Sequence, residues 1–286
     1  MVTEATLALD PLPRFWKHLH ATWHQDTVPW NTAIEAIQSL QREGILTTSV
    51  ALHNADKILS YVNPGPQAPR RTEDIRKQQL EAIEGGDWFV EAAISGATPA
   101  HLEASQQAVS DDFKALGIPC AWAETNQPGP MYHQFTQPSL ATLYGAIGRD
   151  EPVYPTPEAD NIGALWYAVV VPGAADMAKV AALVSAQGLK WDMDMPLTFQ
   201  IPHHRYAYAV LSWLYDRRDS ALESRMLEAY QATKEALRQQ GYGPYRRGWM
   251  DQQEAIPSNT VTERWLAAMR NTTDPMGILA PGHYEA

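Results

Sequence analysis

The stretch Tyr206-Ala-Tyr-Ala-Val-Leu-Ser-Trp-Leu-Tyr215, followed closely by Ser220-Ala-Leu-Glu-Ser-Arg-Met-Leu-Glu-Ala-Tyr-Gln-Ala-Thr-Lys-Glu-Ala-Leu-Arg-Gln-Gln-Gly241, decides the fold. Its first part is rich in aromatic and β-branched residues and reads as a strand. Its second part is helical: Leu222, Met226, Tyr230, Thr233 and Leu237 recur on one face, and Ser220 with Glu223 reads as a capping box. Gly241 stops that helix, because glycine takes the left-handed conformation at little cost.

The same pattern recurs along the chain. Strand-like runs at Phe15–Trp23, Trp88–Ser95 and Ala164–Val171 each lead into helical periodicity that stops at a glycine. The stops are Gly44, Gly117 and Gly188, with apolar segments at Ile45-Leu46, Ile118-Pro119 and Leu189-Lys190 beyond them. Four β-α-β units predict an α+β fold of two tandem ferredoxin-like halves, an antiparallel sheet with helices packed on one face, followed by a short C-terminal tail. The boundaries are residues 1–125 for the first half, 126–160 for a Pro- and Gly-rich connection, 161–247 for the second half and 248–286 for the tail. Pro64–Arg71 reads as a second Pro-rich loop, with helices over Thr72–Glu84 and near Thr260–Arg270.

Composition narrows the function. The 286 residues are 45% hydrophobic and 19% charged, as expected of a globular protein with a sizeable core. A net charge of −11 argues against nucleic acid, whose phosphates demand clustered Lys and Arg. The single cysteine, Cys120, permits no intrachain disulfide. The start Met1-Val-Thr-Glu lacks a basic, then apolar, leader, and the longest apolar run, Ala164–Val171, is far short of the ~20 residues of a membrane helix. These features predict a protein of the cytoplasm, or else the periplasm, with no membrane partner.

Two terminal segments carry chemistry. Gly241-Tyr-Gly-Pro-Tyr-Arg-Arg-Gly-Trp-Met-Asp-Gln252 places a tyrosine hydroxyl, Tyr245, beside a guanidinium, Arg246. That pair suits a phenolate oxygen, with one charge-assisted hydrogen bond and one further donor. Asp274-Pro-Met-Gly-Ile-Leu-Ala-Pro-Gly282 closes the chain. Together these segments resemble the carboxyl end of the vanillyl-alcohol oxidase and p-cresol methylhydroxylase family of FAD-linked oxidases. Weaker similarity extends over the substrate (cap) domain, and Val2–Pro13 looks like the last strand before it.

The resemblance implies an oxidation of para-substituted phenols of the 4-cresol dehydrogenase or vanillyl-alcohol oxidase type. Tyr245 and Arg246, followed by Met250-Asp251-Gln252, would hold the phenolate as catalytic and substrate-binding residues. FAD would receive a benzylic hydride, and a quinone methide would form. It also implies a covalent flavin attachment near Tyr206 or Tyr208. The family's flavin domain has no counterpart here, and no G-x-G-x-x-G or Walker-type cradle is present. FAD would then be supplied by a domain on another chain or another part of a longer enzyme. An aromatic substrate, an oxygen or cytochrome electron acceptor, and a homo- or hetero-oligomer are the expected partners. A flavin-free enzyme with lyase, isomerase or hydratase chemistry, or a binding subunit that keeps the phenol pocket, is the alternative.

Further candidates come from spacing. Asp192 and Asp194 share a presumed strand face and could split their pKa values, leaving one as a general base. His203 and His204, adjacent on a presumed strand, should point oppositely, with one near the substrate. Tyr206 and Tyr208 should share a face. His18, His20 and His24 lack a visible carboxylate or Cys to complete a metal set, so no metal is expected. Ten tryptophans would suit an aromatic-walled pocket or a packed core equally.

Overall fold

The structure, a computed structural model, describes residues 15–62, 67–123, 162–245 and 260–278. The chain divides into two units, Met1–Gly243 and Pro244–Ala286. In the first unit, strands β1 (Phe15–Trp23), β2 (Val50–Asn54), β3 (Trp88–Gly96), β4 (Cys120–Ala123), β5 (Ile162–Val171), β6 (Leu197–His203) and β7 (Tyr206–Asp216) form one antiparallel sheet of order β4-β1-β3-β2-β6-β7-β5. Helices α1 (Trp30–Arg42), α2 (Ala55–Val62), α3 (Glu73–Ala82), α4 (Pro99–Ala115), α5 (Gly173–Trp191) and α6 (Ser220–Gln239) surround it. The α+β expectation is met: β4-β1-β3-β2 is the strand order of a ferredoxin-like half, and β6-β7-β5 repeats three of its four positions. Beside β5, where a fourth strand of the second half belongs, the Val170 N–H donates to the Gly243 carbonyl at 3.2 Å. The 126–160 connection and the 2–13 segment lie outside the described residues.

The register fixes which side chains share a face. Leu19, Leu52, Val90, Phe199, Leu211 and Trp213 alternate onto one side and are buried there. Trp30 of α1 meets Trp88 at 4.4 Å between ring centroids, and Trp213 meets Tyr230 of α6 at 5.3 Å. The core therefore uses much of the chain's tryptophan, although Trp166 stands exposed on β5. Two helices depart from the one-face expectation. α2 and α3 pack Ala55, Ile58, Leu59, Leu80 and Ile83 against Phe89, which alternation places on the opposite side of the sheet.

Helix ends explain the other departures. Gly44, Gly117 and Gly241 stop α1, α4 and α6 with φ of 72°, 75° and 86°. Gly188 does not stop a helix: α5 runs on to Trp191, and Asp192 ends it in the left-handed conformation. A Cβ at Gly188 would lie 2.9 Å from the Met193 carbonyl oxygen and 2.9 Å from Met195 Cγ, so the glycine permits close packing. Gly188→Ala is expected to lower stability by about 1 kcal/mol, overpacking of ~1–3 kcal/mol outweighing the ~1 kcal/mol that alanine gains in a helix. A rise in the denaturation midpoint of that variant would show that the contact yields. The capping of α6 shifts by one residue: the Asp219 carboxylate accepts from the Ala221 and Leu222 N–H groups, and Ser220 is the first helical residue. Ile45-Leu46 precedes β2 rather than forming it, and Leu189-Lys190 is helical.

In the second unit, the Thr260 hydroxyl accepts from the Glu263 N–H and begins α7 (Val261–Thr273). Trp265 and Met269 are exposed on it.

Candidate functional site

The face of the sheet opposite α1, α4, α5 and α6 is polar at its centre. His18 and His20 of β1, His53 of β2, Glu91 of β3 and Thr198 of β6 lie on it in register, and all are buried. The Nε2 of His20 is 3.1 Å from Nδ1 of His18. The Glu91 carboxylate lies between two imidazoles, with Oε1 3.5 Å from His18 Nε2 and Oε2 3.5 Å from His53 Nε2. The Nδ1 of His53 is 2.9 Å from the Thr198 hydroxyl.

Burial, helped by the Lys57 ammonium, lowers the His53 pKa from 6.5 to about 3. His53 is therefore neutral at physiological pH, and its 3.5 Å contact with Glu91 is not an ion pair. His53 Nδ1 and the Thr198 hydroxyl share a hydrogen bond whose direction follows the imidazole tautomer. His53, Glu91 and Thr198 were missed, and His18 and His20 were weighed only for a metal, because sequence separation hides the row: positions 18, 20, 53, 91 and 198 meet only in the folded sheet. The signal was a lone Glu91 inside an apolar strand, and histidines alternating with Leu19 and Ala21. The carboxylate absent near His18 and His20 in the sequence is thus supplied by β3. Among the described residues, no three His, Cys, Asp or Glu side chains are disposed to hold a metal.

Farther along the same face, Tyr206 and Tyr208 of β7 are half-buried, their rings edge-to-face at 5.4 Å. The shared face read from their spacing holds. His203 and His204 do not point oppositely: their rings lie 4.0 Å apart, because the chain leaves the strand at the β6–β7 turn and alternation ends there. Burial, with His203 and Arg205 close by, lowers the His204 pKa.

Asp192 and Asp194 are not on a strand. Asp192 ends α5 with its side chain mostly exposed, while Asp194 is buried and ion-paired with Arg71. Asp194 also accepts from the Arg71 N–H at 3.1 Å, and its own N–H donates to the Gln67 carbonyl at 2.8 Å. Burial and the neighbouring Asp56 push its carboxyl above the usual range despite Arg71. Nearby, Asp56 pairs with Arg76 and accepts from the Met195 N–H at 3.0 Å. The Asp56–Arg76 pair borders a cavity of about 330 Å³ lined by Trp30, Trp88, Asn54, Asp56, Arg76 and Met195, among others. Trp30 and Trp88 are among the tryptophans that the sequence offered for a pocket wall, whereas Asp192, Asp194, His203, His204, Tyr206 and Tyr208 are not among its lining residues.

Burial pushes the Cys120 thiol up to about 12, leaving it protonated and a poor nucleophile. Tyr245 belongs to the second unit and is 41% exposed. Arg246, Met250-Asp251-Gln252 and Leu279–Gly282 lie outside the described residues.

No family model matches the chain. A p-cresol methylhydroxylase with substrate bound superimposes with a TM-score of 0.75 at 20% identity, over 95% of this chain and 53% of that one. The 4-ethylphenol oxidase of Gulosibacter chungangensis, in complex with isoeugenol, gives 0.75 at 19% identity over 96% and 55%. A 1'-carboxy-chondrochloren decarboxylase from Chondromyces crocatus is 23% identical over the full length of this chain. The chain spans 59% of that relative's length. The resemblance to the vanillyl-alcohol oxidase and p-cresol methylhydroxylase family, first read from Tyr245, Arg246 and the closing turn, is thus matched by the fold of nearly the whole chain.

Proposed function

We propose that this chain is the substrate-domain portion of a flavin-dependent oxidoreductase acting on para-substituted phenols. The observation that carries the reading is the Tyr245-Arg246 pair before Met250-Asp251-Gln252, in a chain that folds like p-cresol methylhydroxylase and 4-ethylphenol oxidase. Tyr245 and Arg246 hold the phenol oxygen as its anion. The ring then pushes electrons towards the para substituent, and hydride loss from the benzylic carbon leaves a quinone methide. FAD, when bound, supplies the hydride acceptor that no side chain provides. The half-buried tyrosine pair on β7 fits a planar aromatic group, and Tyr208 or Tyr206 is its proposed attachment point. His203 and His204 border the same strand and are assigned to the substrate, Asp192 and Asp194 to proton handling.

The relative from Chondromyces crocatus favours a second reading, non-redox chemistry such as decarboxylation or water addition on the same phenol pocket, without flavin.

The test uses the protein isolated from its own host. Under the first reading it has a flavin absorption spectrum that p-cresol bleaches, and Arg246→Ala lowers kcat/KM by ~10²–10³ through loss of an anion-stabilising donor. A colourless protein that still converts a phenol carries the second reading. Full activity in Arg246→Ala removes both.

A further inference from the structure

The cavity of about 330 Å³ in the sheet unit belongs to none of the roles assigned above, and its lining combines three kinds of surface. Trp30 and Trp88, in edge-to-face contact, give it an aromatic side. One face of α5, where Ala178, Ala181, Ser185 and Gly188 recur at helical spacing, adds a side without bulky groups. Arg70 and Arg76 bring two guanidinium groups, one from just before α3 and one from its first turn. We propose that this cavity binds a small aromatic carboxylate, with its ring against the tryptophans and its carboxylate on Arg70 and Arg76. The site is separate from the phenol reading: among the described residues, none assigned to the phenol lines it.

The polar groups of the lining favour an anion. Asp56 accepts from Arg76 through Oδ1 and from the Met195 N–H through Oδ2. Asn54 accepts from the Lys57 and Leu197 N–H groups and donates to the Met195 carbonyl. The Trp30 indole N–H donates to the Ala174 carbonyl. The guanidinium groups, by contrast, retain donors, because each carries five N–H bonds. Arg76 commits Nη1 to Asp56, and Arg70 commits Nη2 to Glu73 at 3.0 Å. The Glu73 side chain is 73% exposed against 23% for Arg70, so their pairing is a surface contact of little worth. A ligand carboxylate can replace Glu73 on a planar fork that suits two parallel hydrogen bonds.

The rest of the lining sets the ligand's size and direction. Asp87, next to Trp88 in the chain, accepts from the Gln25 N–H at 3.0 Å, and a second carboxylate is unwelcome beside it. The ring therefore takes the tryptophan side and the charge the arginine side. The volume lies at the small end of the ~300–1,000 Å³ usual for ligand pockets, which suits one ring with a short substituent.

The experiment is a titration of the full chain with benzoate, followed on the indole N–H signals of Trp30 and Trp88 in ¹H–¹⁵N NMR spectra. Both signals are expected to shift and saturate, and acetate, which has no ring, should leave them in place. Benzamide, the uncharged counterpart, should bind ~10-fold or more weakly, the worth of one charge-assisted hydrogen bond. Arg70→Ala keeps the residue 70 N–H on the Asp192 carbonyl at 3.0 Å and should weaken benzoate by a similar factor. Ala181→Leu fills the cavity with a good helix former and should abolish the response. Should that variant fail to fold, benzamide and Arg70→Ala decide. Unmoved indole signals, benzamide bound as tightly as benzoate, or undiminished binding in Arg70→Ala overturns the proposal. Arg246→Ala should leave the benzoate response as it is. A response lost in that variant would put benzoate in the phenol site and overturn the proposal, while leaving the phenol reading to its own test.

Discussion

Lowering the pH from 6.5 to 4 is expected to destabilise the sheet unit by about 3 kcal/mol through His53 alone. The folded state holds this imidazole neutral down to a pKa of about 3, against 6.5 when unfolded. Between those values the unfolded chain binds a proton that the folded chain refuses, so stability rises with pH across the window and is lost as pH falls. At 1.36 kcal/mol per unit, about 2.5 units give the figure stated. Burial is the main cause, because His53 is buried beneath the sheet face where a charged imidazole would lose its water. Chemical denaturation at several pH values checks this against His53→Gln, which cannot titrate. The variant should show a shallower loss of stability below pH 6.5. Equal slopes for the two proteins would sink the claim.

Asp194→Ala is expected to cost about 3 kcal/mol. The change strands the Arg71 guanidinium, only 14% exposed, without its carboxylate, and removes an acceptor for the Arg71 N–H. It also loosens residues 67–71 from the turn between α5 and β6. The size of the effect does not mean that the pair is stabilising. Burial outweighs Arg71 in setting the Asp194 carboxyl, so the attraction does not fully offset lost hydration. Replacing both partners, Arg71→Met with Asp194→Leu, should therefore recover most of what either single change loses. A double variant as unstable as the sum of the singles would show instead that the ion pair itself holds the loop.

Local signals were legible in the sequence, and long-range ones were not. Runs such as Trp88–Ser95 and Tyr206–Tyr215 announced strands because a buried sheet centre selects bulky apolar residues. Gly44, Gly117 and Gly241 announced helix ends because a left-handed residue there favours glycine. Gly188 misled because the same residue type also answers a packing demand, set by Met193 and Met195 beyond the helix. β2 escaped notice since five residues, Val50–Asn54, are too few to show a period. His203 and His204 went astray because alternation was carried one residue past the strand. The tyrosine pair was visible from spacing within β7, whereas Glu91 found its imidazoles on two other strands.

The seam between β2 and β6 gives the plate a further property. These strands hold equivalent positions in the two halves, and they pair antiparallel, Val50 with Ile201 through His53 with Thr198. Antiparallel pairing of equivalent edges is self-complementary, the geometry of a two-fold dimer interface. The plate is thus a pseudo-dimer carried in one polypeptide, whose covalent link makes association of the halves independent of protein concentration. A half expressed alone would present the β2 or β6 edge unpaired and should self-associate through it.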